Sequence, residues 1–175
     1  PSEKTPWIRV TSPHGGGDKG MFFIPEIGEE AIICFEGDSS VKPFVNGTVY
    51  HGKAKTSFAN AGNDVKALQT RSGNKMVMND KDGSVQLTDK GGADMFFDGA
   101  GNVIANNKND NTNNIGNNHT ANVGTKHTVK VGKGGECILK MDSGGNITLD
   151  GKTSLKITIG NSVLEMKSDG TITLN

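Results

Sequence analysis

Apolar residues occur in short runs along the whole chain, and turn-forming residues separate these runs at short intervals. In the first third of the chain the runs are 7–10, 21–24, 31–35 and 44–50. Short apolar runs bounded by Gly, Pro, Asn and Asp are typical of β-strands. With one more strand after Gly52, the pattern predicts a five-stranded, partly open barrel of the OB type over residues 1–66.

A second pattern begins near residue 71, where three apolar triplets are each followed by an Asp and, three residues later, a Gly. The pairs are Asp80 with Gly83, Asp89 with Gly92, and Asp98 with Gly101. A type I turn prefers Asp at its first position and Gly at its fourth. The nine-residue spacing also occurs in calcium-binding β-helices, but their Gly-Gly-x-Gly-x-Asp order is absent here. We therefore predict hairpin turns in a transitional β segment over residues 67–110.

From residue 111 onward the apolar positions follow a step of eight. The step passes through seven aliphatic residues: Ile115, Val123, Val131, Leu139, Ile147, Leu155 and Val163. A second series lies two residues further on, at Met141, Leu149 and Ile157, and so shares the same face of a strand. After Val163 the series shifts by one residue. A fixed short period of this kind predicts a stacked β array over residues 111–175.

Eight residues form one side of a triangular coil but do not close it. One chain could supply three sides per coil, or three identical chains could wrap round one axis and share each layer. The uniform ladder favours the trimer, because a threefold axis gives every repeat the same environment. We therefore predict an all-β chain in which an OB barrel precedes a trimeric, intertwined β-helix or prism. Its core would contain Ile115, Val123, Val131, Leu139, Met141, Ile147, Leu149, Leu155, Ile157 and Val163.

Composition supports a core that is shared between chains. Only 33% of the residues are hydrophobic and 25 of the 175 are Gly, which suits a narrow prism that needs few inward residues per strand. Lys+Arg 19 and Asp+Glu 19 give a formal net charge of zero, so no basic excess is available for nucleic-acid phosphates. No apolar run approaches the roughly 20 residues of a membrane helix. Trp7, Phe22 and Phe23 could stack on single-stranded nucleic acid, but few Lys or Arg accompany them, and packing in a core or against a hub region is the favoured prediction.

Candidate chemistry is limited to two histidines. In a trimer, three copies of His119 or of His127 could meet near the axis, and three imidazoles suit a transition metal. Both residues also stand close to predicted corners, where they would be solvated, so we assign no metal site. No Ser-His-Asp order, carboxylate pair or Cys/His cluster stands out, and we expect neither catalysis nor a cofactor. Cys34 and Cys137 lie in apolar runs and are expected to be buried thiols.

The segments 8–10, 20–30, 35–38 and 43–50, followed by 72–80, occur in an order that resembles a known family. They resemble the OB domain and the following segment of valine-glycine repeat protein G (VgrG), the spike of bacterial type VI secretion. The Val-Gly pairs at 123–124 and 131–132 resemble the trimeric β-helix of that family, which is akin to the central spike of contractile phage tails. Within the OB segments the resemblance implies structural roles for Gly20, Pro25, Gly28, Phe35, Pro43 and Gly47.

The resemblance implies a homotrimer that caps an Hcp-like tube and carries effectors. Such a spike is assembled in the bacterial cytoplasm and is injected into the extracellular space or a target cell when a sheath contracts. The large hub region that precedes the OB domain in this family is missing here, so tube attachment is expected to lie outside this chain. The chain opens with Pro1 and is expected to be a piece of a longer protein.

The C-terminal strand is a candidate docking surface. It runs to the terminus without a polar cap and leaves an open sheet edge, which proteins normally protect. The resemblance implies a tip protein of the PAAR-repeat class at this end. The predicted tip-docking residues are Ile172, Thr173, Leu174 and Asn175.

Two other functions stay open. One is the central spike of a phage tail or of a phage-like extracellular injection particle. The other is a single-chain β-helix that binds polysaccharide, whose binding face should carry aromatic residues, whereas no aromatic residue follows Phe97.

Overall fold

The computed structural model describes residues 7–174, which form β-strands joined by turns and loops. The prediction of an all-β chain is confirmed. The one helical element in this part of the chain is a short 3₁₀ turn at Glu36–Asp38. No helix among the described residues has the length and apolarity needed to cross a membrane. The strands are β1 (Arg9–Val10), β2 (Gly15–Gly16), β3 (Lys19–Gly20), β4 (Glu30–Phe35), β5 (Pro43–Val49), β6 (Val65–Gln69), β7 (Lys75–Asn79), β8 (Ser84–Thr88), β9 (Asp94–Phe97), β10 (Val103–Asn106), β11 (Lys126–Val131), β12 (Cys137–Asp142), β13 (Ile147–Gly151), β14 (Ser154–Ile159), β15 (Ser162–Lys167) and β16 (Ile172–Leu174).

The chain divides into two compact units, residues 1–111 and 112–175. The first unit begins with a three-stranded sheet in the order β1-β5-β4, in which β1 runs parallel and β4 antiparallel to β5. Ile32 lies opposite Gly47 and Ile33 lies opposite Val45, so Asn46 is the extra residue of a β-bulge. Glycine beside the bulge gives the backbone the freedom that this kink requires.

A two-residue hairpin, β2–β3, follows the first strand. Gly20 closes this hairpin with φ of 119°, a conformation that favours glycine. A Cβ atom at Gly20 would collide with the carbonyl oxygen of His14. The implied structural role of Gly20 therefore has a steric basis.

The first domain has fewer paired strands than the sequence predicts. The run 21–24 is extended but is not part of a sheet, and no strand forms between residues 50 and 64. Met21 N–H donates to the carbonyl oxygen of His14 (2.9 Å), which ties the start of the run to the hairpin. Residues 51–64 are rich in Gly, Asn, Asp and Lys, which have low strand propensity.

The second sheet of this unit is a five-stranded antiparallel meander in the order β10-β9-β8-β7-β6. Its register places Leu68, Met76, Leu87, Met95 and Ala105 in one row across all five strands. Because side chains alternate between the two faces of a strand, this register puts most of the large apolar residues on one face.

All three predicted Asp-Gly segments lie in hairpin loops, but the carboxylate that caps the loop differs in the first of them. Asp89 and Asp98 each begin a five-residue hairpin loop and accept backbone N–H groups through Oδ1, from Ala93 (2.7 Å) and Ala100 (2.7 Å) respectively. In the first hairpin Asn79 still pairs with Ser84, so only residues 80–83 form the loop. The capping carboxylate in this shorter loop is therefore that of Asp82, which accepts from Ser84 N–H (3.0 Å).

The second unit contains two three-stranded antiparallel sheets, β11-β12-β13 and β14-β15-β16. Tight turns connect their strands. At the turn between β12 and β13, Asp142 accepts hydrogen bonds from the backbone of Gly144 (3.0 Å) and Asn146 (3.2 Å), and Gly145 has φ of 80°. These turns reverse the chain, so neighbouring strands within one chain are antiparallel.

The pairing within one chain differs from the predicted step of eight. Leu139 lies opposite Val129 and Leu149, not opposite Val131 and Ile147. Ile115 and Val123 do not lie in strands, because the Asn-rich stretch 107–125 contains no described strand. Asn side chains compete for backbone hydrogen bonds and have low strand propensity.

Candidate assembly surfaces

The β11-β12-β13 sheet has one apolar face and one polar face. The apolar face contains His127, Val129, Val131, Cys137, Leu139, Met141, Ile147 and Leu149. The opposite face contains Lys126, Thr128, Lys130, Ile138, Lys140, Asp142, Thr148 and Asp150. Ile147 is 72% exposed and Val131 is 62% exposed, so the apolar face is open within one chain. Five of the predicted trimer-core residues lie on this face: Val131, Leu139, Met141, Ile147 and Leu149.

The β14-β15-β16 sheet repeats the same arrangement. Its apolar face contains Leu155, Ile157, Ile159, Leu164, Met166, Ile172 and Leu174. Lys156 lies opposite Glu165 on the other face, so the polar side carries a charge pair across the strands. Val163 pairs with Thr158 and lies on the polar side, which contradicts its predicted place beside Leu155 and Ile157. The turn between β14 and β15 shifts Val163 by one residue relative to the apolar series, and this shift places its side chain on the polar face.

The predicted tip-docking residues occupy the last strand, β16, which is an edge of its sheet. Ile172 and Leu174 belong to the apolar face, and Leu174 is 78% exposed. Thr173 lies opposite Glu165 on the polar face. Asn175 lies outside the described residues.

The five-stranded sheet carries a third apolar face, which we call the methionine face. Its residues are Leu68, Met76, Met78, Val85, Leu87, Met95, Phe97, Val103 and Ala105. The ring of Phe23 lies beside it, along a groove lined by Leu68, Met76 and Leu87. The predictions from the sequence do not include this face as a site. The apolar residues spaced two apart in each triplet could have indicated it, because residues two apart in a strand share a face.

Three aromatic residues of the first domain are open to solvent. The sequence predicts that Trp7, Phe22 and Phe23 pack in a core or against a hub region, but Trp7 is fully exposed and Phe22 is 84% exposed. Packing of these residues in a core is therefore absent from residues 7–174, and packing against a hub region stays a prediction. Phe35, one of the residues with an implied structural role, lies opposite Pro43 at the end of β4 and is about half exposed.

Four turn carboxylates have lowered pKa values. Hydrogen bonds from the side chains of Ser84 and Asn102 are the main reason that the pKa values of Asp82 and Asp98 lie below the usual 3.8. Backbone N–H groups of Asn146 and Thr171 are the main reason for the lowered pKa values of Asp142 and Asp169. These carboxylates stabilise their own turns through hydrogen bonds. Those hydrogen bonds explain the lowered pKa values without a bound cation.

The structure does not bring the two candidate metal ligands together within one chain. His127 is half-buried on the apolar face of β11, opposite Met141, in a groove with Val123. His119 is exposed in the stretch without strands. Among residues 7–174 no group of three His, Cys, Asp or Glu side chains is close enough to hold a metal ion. Cys137 is exposed and Cys34 is half-buried, so the expected burial of both thiols is wrong.

The N-terminal segment matches a known domain family. A family model for the type VI secretion system/phage-baseplate injector OB domain matches residues 1–50. This match confirms the OB fold predicted for the first domain. The chain therefore carries an OB domain of the type VI secretion system/phage-baseplate injector kind.

The chain is also similar to individual VgrG spike proteins of type VI secretion. It is 35% identical over 91 residues to spike protein VgrG1a of Pseudomonas aeruginosa, which covers 46% of this chain and 14% of the relative. It is 32% identical over 96 residues to VgrG1b of the same species, which covers 52% of this chain and 12% of the relative. To VgrG3 of Vibrio cholerae it is 28% identical over 87 residues, or 46% of this chain and 9% of the relative.

These similarities confirm the resemblance to VgrG spike proteins. The chain is related to structural spike components of type VI secretion. It spans only about a tenth of the length of the curated relatives that it matches.

Proposed function

We propose that this chain is a structural, non-enzymatic part of a homotrimeric spike in a contractile injection machine of the type VI secretion kind. The injector OB domain and the VgrG spike relatives support the class of machine. The three one-sided sheets support the trimer, because each presents an apolar face on which several side chains are exposed by more than a third among the described residues.

The observation that carries this proposal is the amount of exposed surface. The accessible surface of the chain is 14848 Å², whereas a compact monomer of 18.4 kDa exposes about 8,200 Å². None of the apolar side chains among the described residues is fully buried. Apolar surface exposed to water costs free energy in proportion to its area, so further chains are needed to cover it.

Three identical chains can cover this exposed apolar surface without a different partner protein. A threefold axis brings three copies of one apolar face together and leaves three polar faces outside. Backbone hydrogen bonds at the open sheet edges would then join neighbouring chains. A shaft of this kind opens only when many bonds break together, which suits a part that is driven through an envelope.

We further propose the partners that the resemblance implies. The C-terminal edge strand β16 docks a PAAR-type tip protein, and the Hcp-like tube is capped through the hub region that precedes the OB domain in VgrG proteins. The spike assembles in the bacterial cytoplasm, carries effectors and is injected into the extracellular space or a target cell. The open backbone edge of β16, which pairs with β15 alone among the described strands, supports the docking surface.

The mass of the purified chain in solution tests the trimer. Light scattering coupled to size-exclusion chromatography should give about three times 18.4 kDa. We also expect the oligomer to resist heat and detergent because its chains share one core. A folded species at the mass of one chain would contradict the proposal.

A second candidate function is the central spike of a phage tail or a phage-like particle, which the description of the matching family also covers. Neighbouring genes for a membrane complex would support secretion, and genes for a capsid would support a phage. A single-chain, polysaccharide-binding β-helix has less support, because the described strands pair as antiparallel meanders rather than as coils of one chain.

A further inference from the structure

The imidazole of His127 lies on the apolar face of the β11-β12-β13 sheet, among residues that the proposed trimer would cover. His127 is the second residue of β11 and is half-buried, whereas the other five residues of that strand are exposed. It lies directly opposite Met141, and Val123 lines the same groove. The sequence suggests a solvated corner for this histidine, but the fold places it within a strand and on the apolar face.

A histidine in this position needs a polar partner once the face is covered. A neutral imidazole has one N–H donor and one acceptor nitrogen, and a buried acceptor without a partner costs free energy. Thr125 and Ser143 line the same groove, so a hydroxyl group can satisfy one ring nitrogen. The second ring nitrogen is left with the side chains of Met141 and Val123, which donate no hydrogen bond. Protonation does not solve this in a trimer, because three like charges would then meet in an apolar seam.

The charges around the groove are compatible with a bound cation. Lys126 and Asp142 also line the groove, and they lie opposite each other on the polar side of the β11-β12 pair. Their charges offset one another, and the apolar face of the described strands β11, β12 and β13 carries no Lys or Arg. A cation on that face would therefore meet little repulsion from the chain.

We infer that three copies of His127 bind one transition-metal ion on the threefold axis of the proposed homotrimer. This inference rests on that trimer, because one chain supplies a single imidazole and the site is incomplete without the partner copies. Packed sheets lie about 10 Å apart, so residues on three facing sheets come within about 5–6 Å of a shared axis. An imidazole can span that distance to a metal ion about 2.0–2.1 Å from its ring nitrogen.

The donor atoms favour zinc or a metal of similar chemistry. Imidazole nitrogens suit zinc, copper, iron and nickel, whereas magnesium and calcium prefer oxygen ligands. The sulfur of Met141 would lie beside each imidazole, since the two residues are directly opposite in the strand pair, and thioether sulfur is a soft ligand. Three imidazole nitrogens fill all but one position of a tetrahedral zinc site. The ion would join the three chains at the first strand of the second unit, which suits a structural role.

Zinc binding by the full chain, without an affinity tag, tests this inference. The chain is first treated with a chelator, and Zn²⁺ is then titrated by calorimetry while light scattering reports the mass. We expect one Zn²⁺ per three chains and no comparable binding of Mg²⁺. The variant His127→Leu keeps the face apolar and should bind Zn²⁺ at least about 100-fold more weakly, because loss of an outer partner of a ligand alone costs up to about that much.

Two controls distinguish the axial site from binding by other histidines. His119→Leu removes an exposed imidazole from the stretch without strands and should leave the binding unchanged. His127→Leu combined with Thr128→His moves the imidazole to the polar face of the same strand, opposite Lys140, and should not restore binding. His127→Gln repeats the loss of the ligand if His127→Leu does not assemble.

The mass and the stoichiometry together decide the outcome. A trimeric mass with one Zn²⁺ per chain, with no bound Zn²⁺, or with binding that survives the loss of the His127 imidazole would overturn this inference and leave the trimer standing. A monomeric mass would instead overturn the proposed function and this inference together.

Discussion

At the scale of single residues, the turn carboxylates connect the sequence most directly to the fold. Asp98 accepts hydrogen bonds from the backbone of Ala100 and Asn102 and from the side chain of Asn102 (2.6 Å). Asp142 and Asp169 make similar bonds in the second unit. Each carboxylate satisfies the backbone donors of its own loop and thereby holds two strands in register.

The lowered pKa values of these carboxylates predict a loss of stability in acid. A group whose pKa is lower in the folded state stabilises the fold above its unfolded pKa, and that contribution is lost as the pH falls through the folded value. We therefore expect the thermal midpoint to hold from neutral pH down to about pH 5 and to fall below about pH 4. Circular dichroism melts across this range provide the measurement.

The variant Asp98→Asn tests the cause of this acid sensitivity. The asparagine oxygen still accepts a hydrogen bond but does not titrate, so the fall in midpoint below pH 4 should be shallower than in the parent. Asp110→Asn is the control, because Asp110 is exposed and lies outside the strands and their hairpin loops. Equal acid profiles for the parent and Asp98→Asn would show that the turn carboxylate is not responsible.

At the scale of strands and sheets, alternation determines which face is apolar, and the turns determine which residues share it. In β13 the side chains of Leu149 and Thr148 are neighbours in sequence but lie on opposite faces. Leu149 is opposite Leu139, and Thr148 is opposite Lys140. Comparing the same substitution at these two positions therefore distinguishes an effect on assembly from an effect on the stability of the strand.

We expect Leu149→Glu to weaken the trimer and Thr148→Glu to leave it intact. A glutamate at position 149 would place three carboxylates in an apolar seam and would lose about 2 kcal/mol of apolar burial per chain. A glutamate at position 148 would face Lys140 across the strands, which is mildly favourable. The mass in solution, measured over a dilution series, compares the two variants, and similar dissociation of both would argue against the apolar face as the interface.

At the scale of the whole molecule, the exposed apolar faces and the open sheet edges support the proposed assembly. In the proposed trimer the apolar faces are covered, and the edge of β16 is the proposed surface for a different partner. Among the described strands β16 pairs with β15 alone, so its other edge is open. An open sheet edge is a suitable site for strand addition by another protein.

Deletion of residues 168–175 tests the docking of a tip protein. The truncated chain keeps most of its apolar faces and should remain trimeric, but it should lose binding to a PAAR-type protein by about tenfold or more, which corresponds to about 1.4 kcal/mol or more. A pull-down or titration with the tip protein measures this, and the mass of the truncated chain is the control. Unchanged binding with the trimer intact would remove β16 from the docking surface.

The sequence by itself determined the strand content, the repeating apolar positions and the resemblance to the spike family. Alternating apolar residues and turn residues are local signals, so β7, β8 and β9 and the loops that begin at Asp89 and Asp98 could be predicted. Val131, Leu139 and Leu149 could be assigned to one face because strand alternation requires only their parity.

Only the tertiary structure decided how those positions are paired. Loop length moved the capping role from Asp80 to Asp82, and the turn before β15 put Val163 on the polar face. The methionine face emerged when five strands were set in register, since residues from 68 to 105 had to be aligned across four pairings. Register depends on hydrogen bonds between residues that are distant in sequence. A periodic pattern therefore predicts which apolar residues can share a face of a sheet. The turns determine which of them lie opposite one another on neighbouring strands.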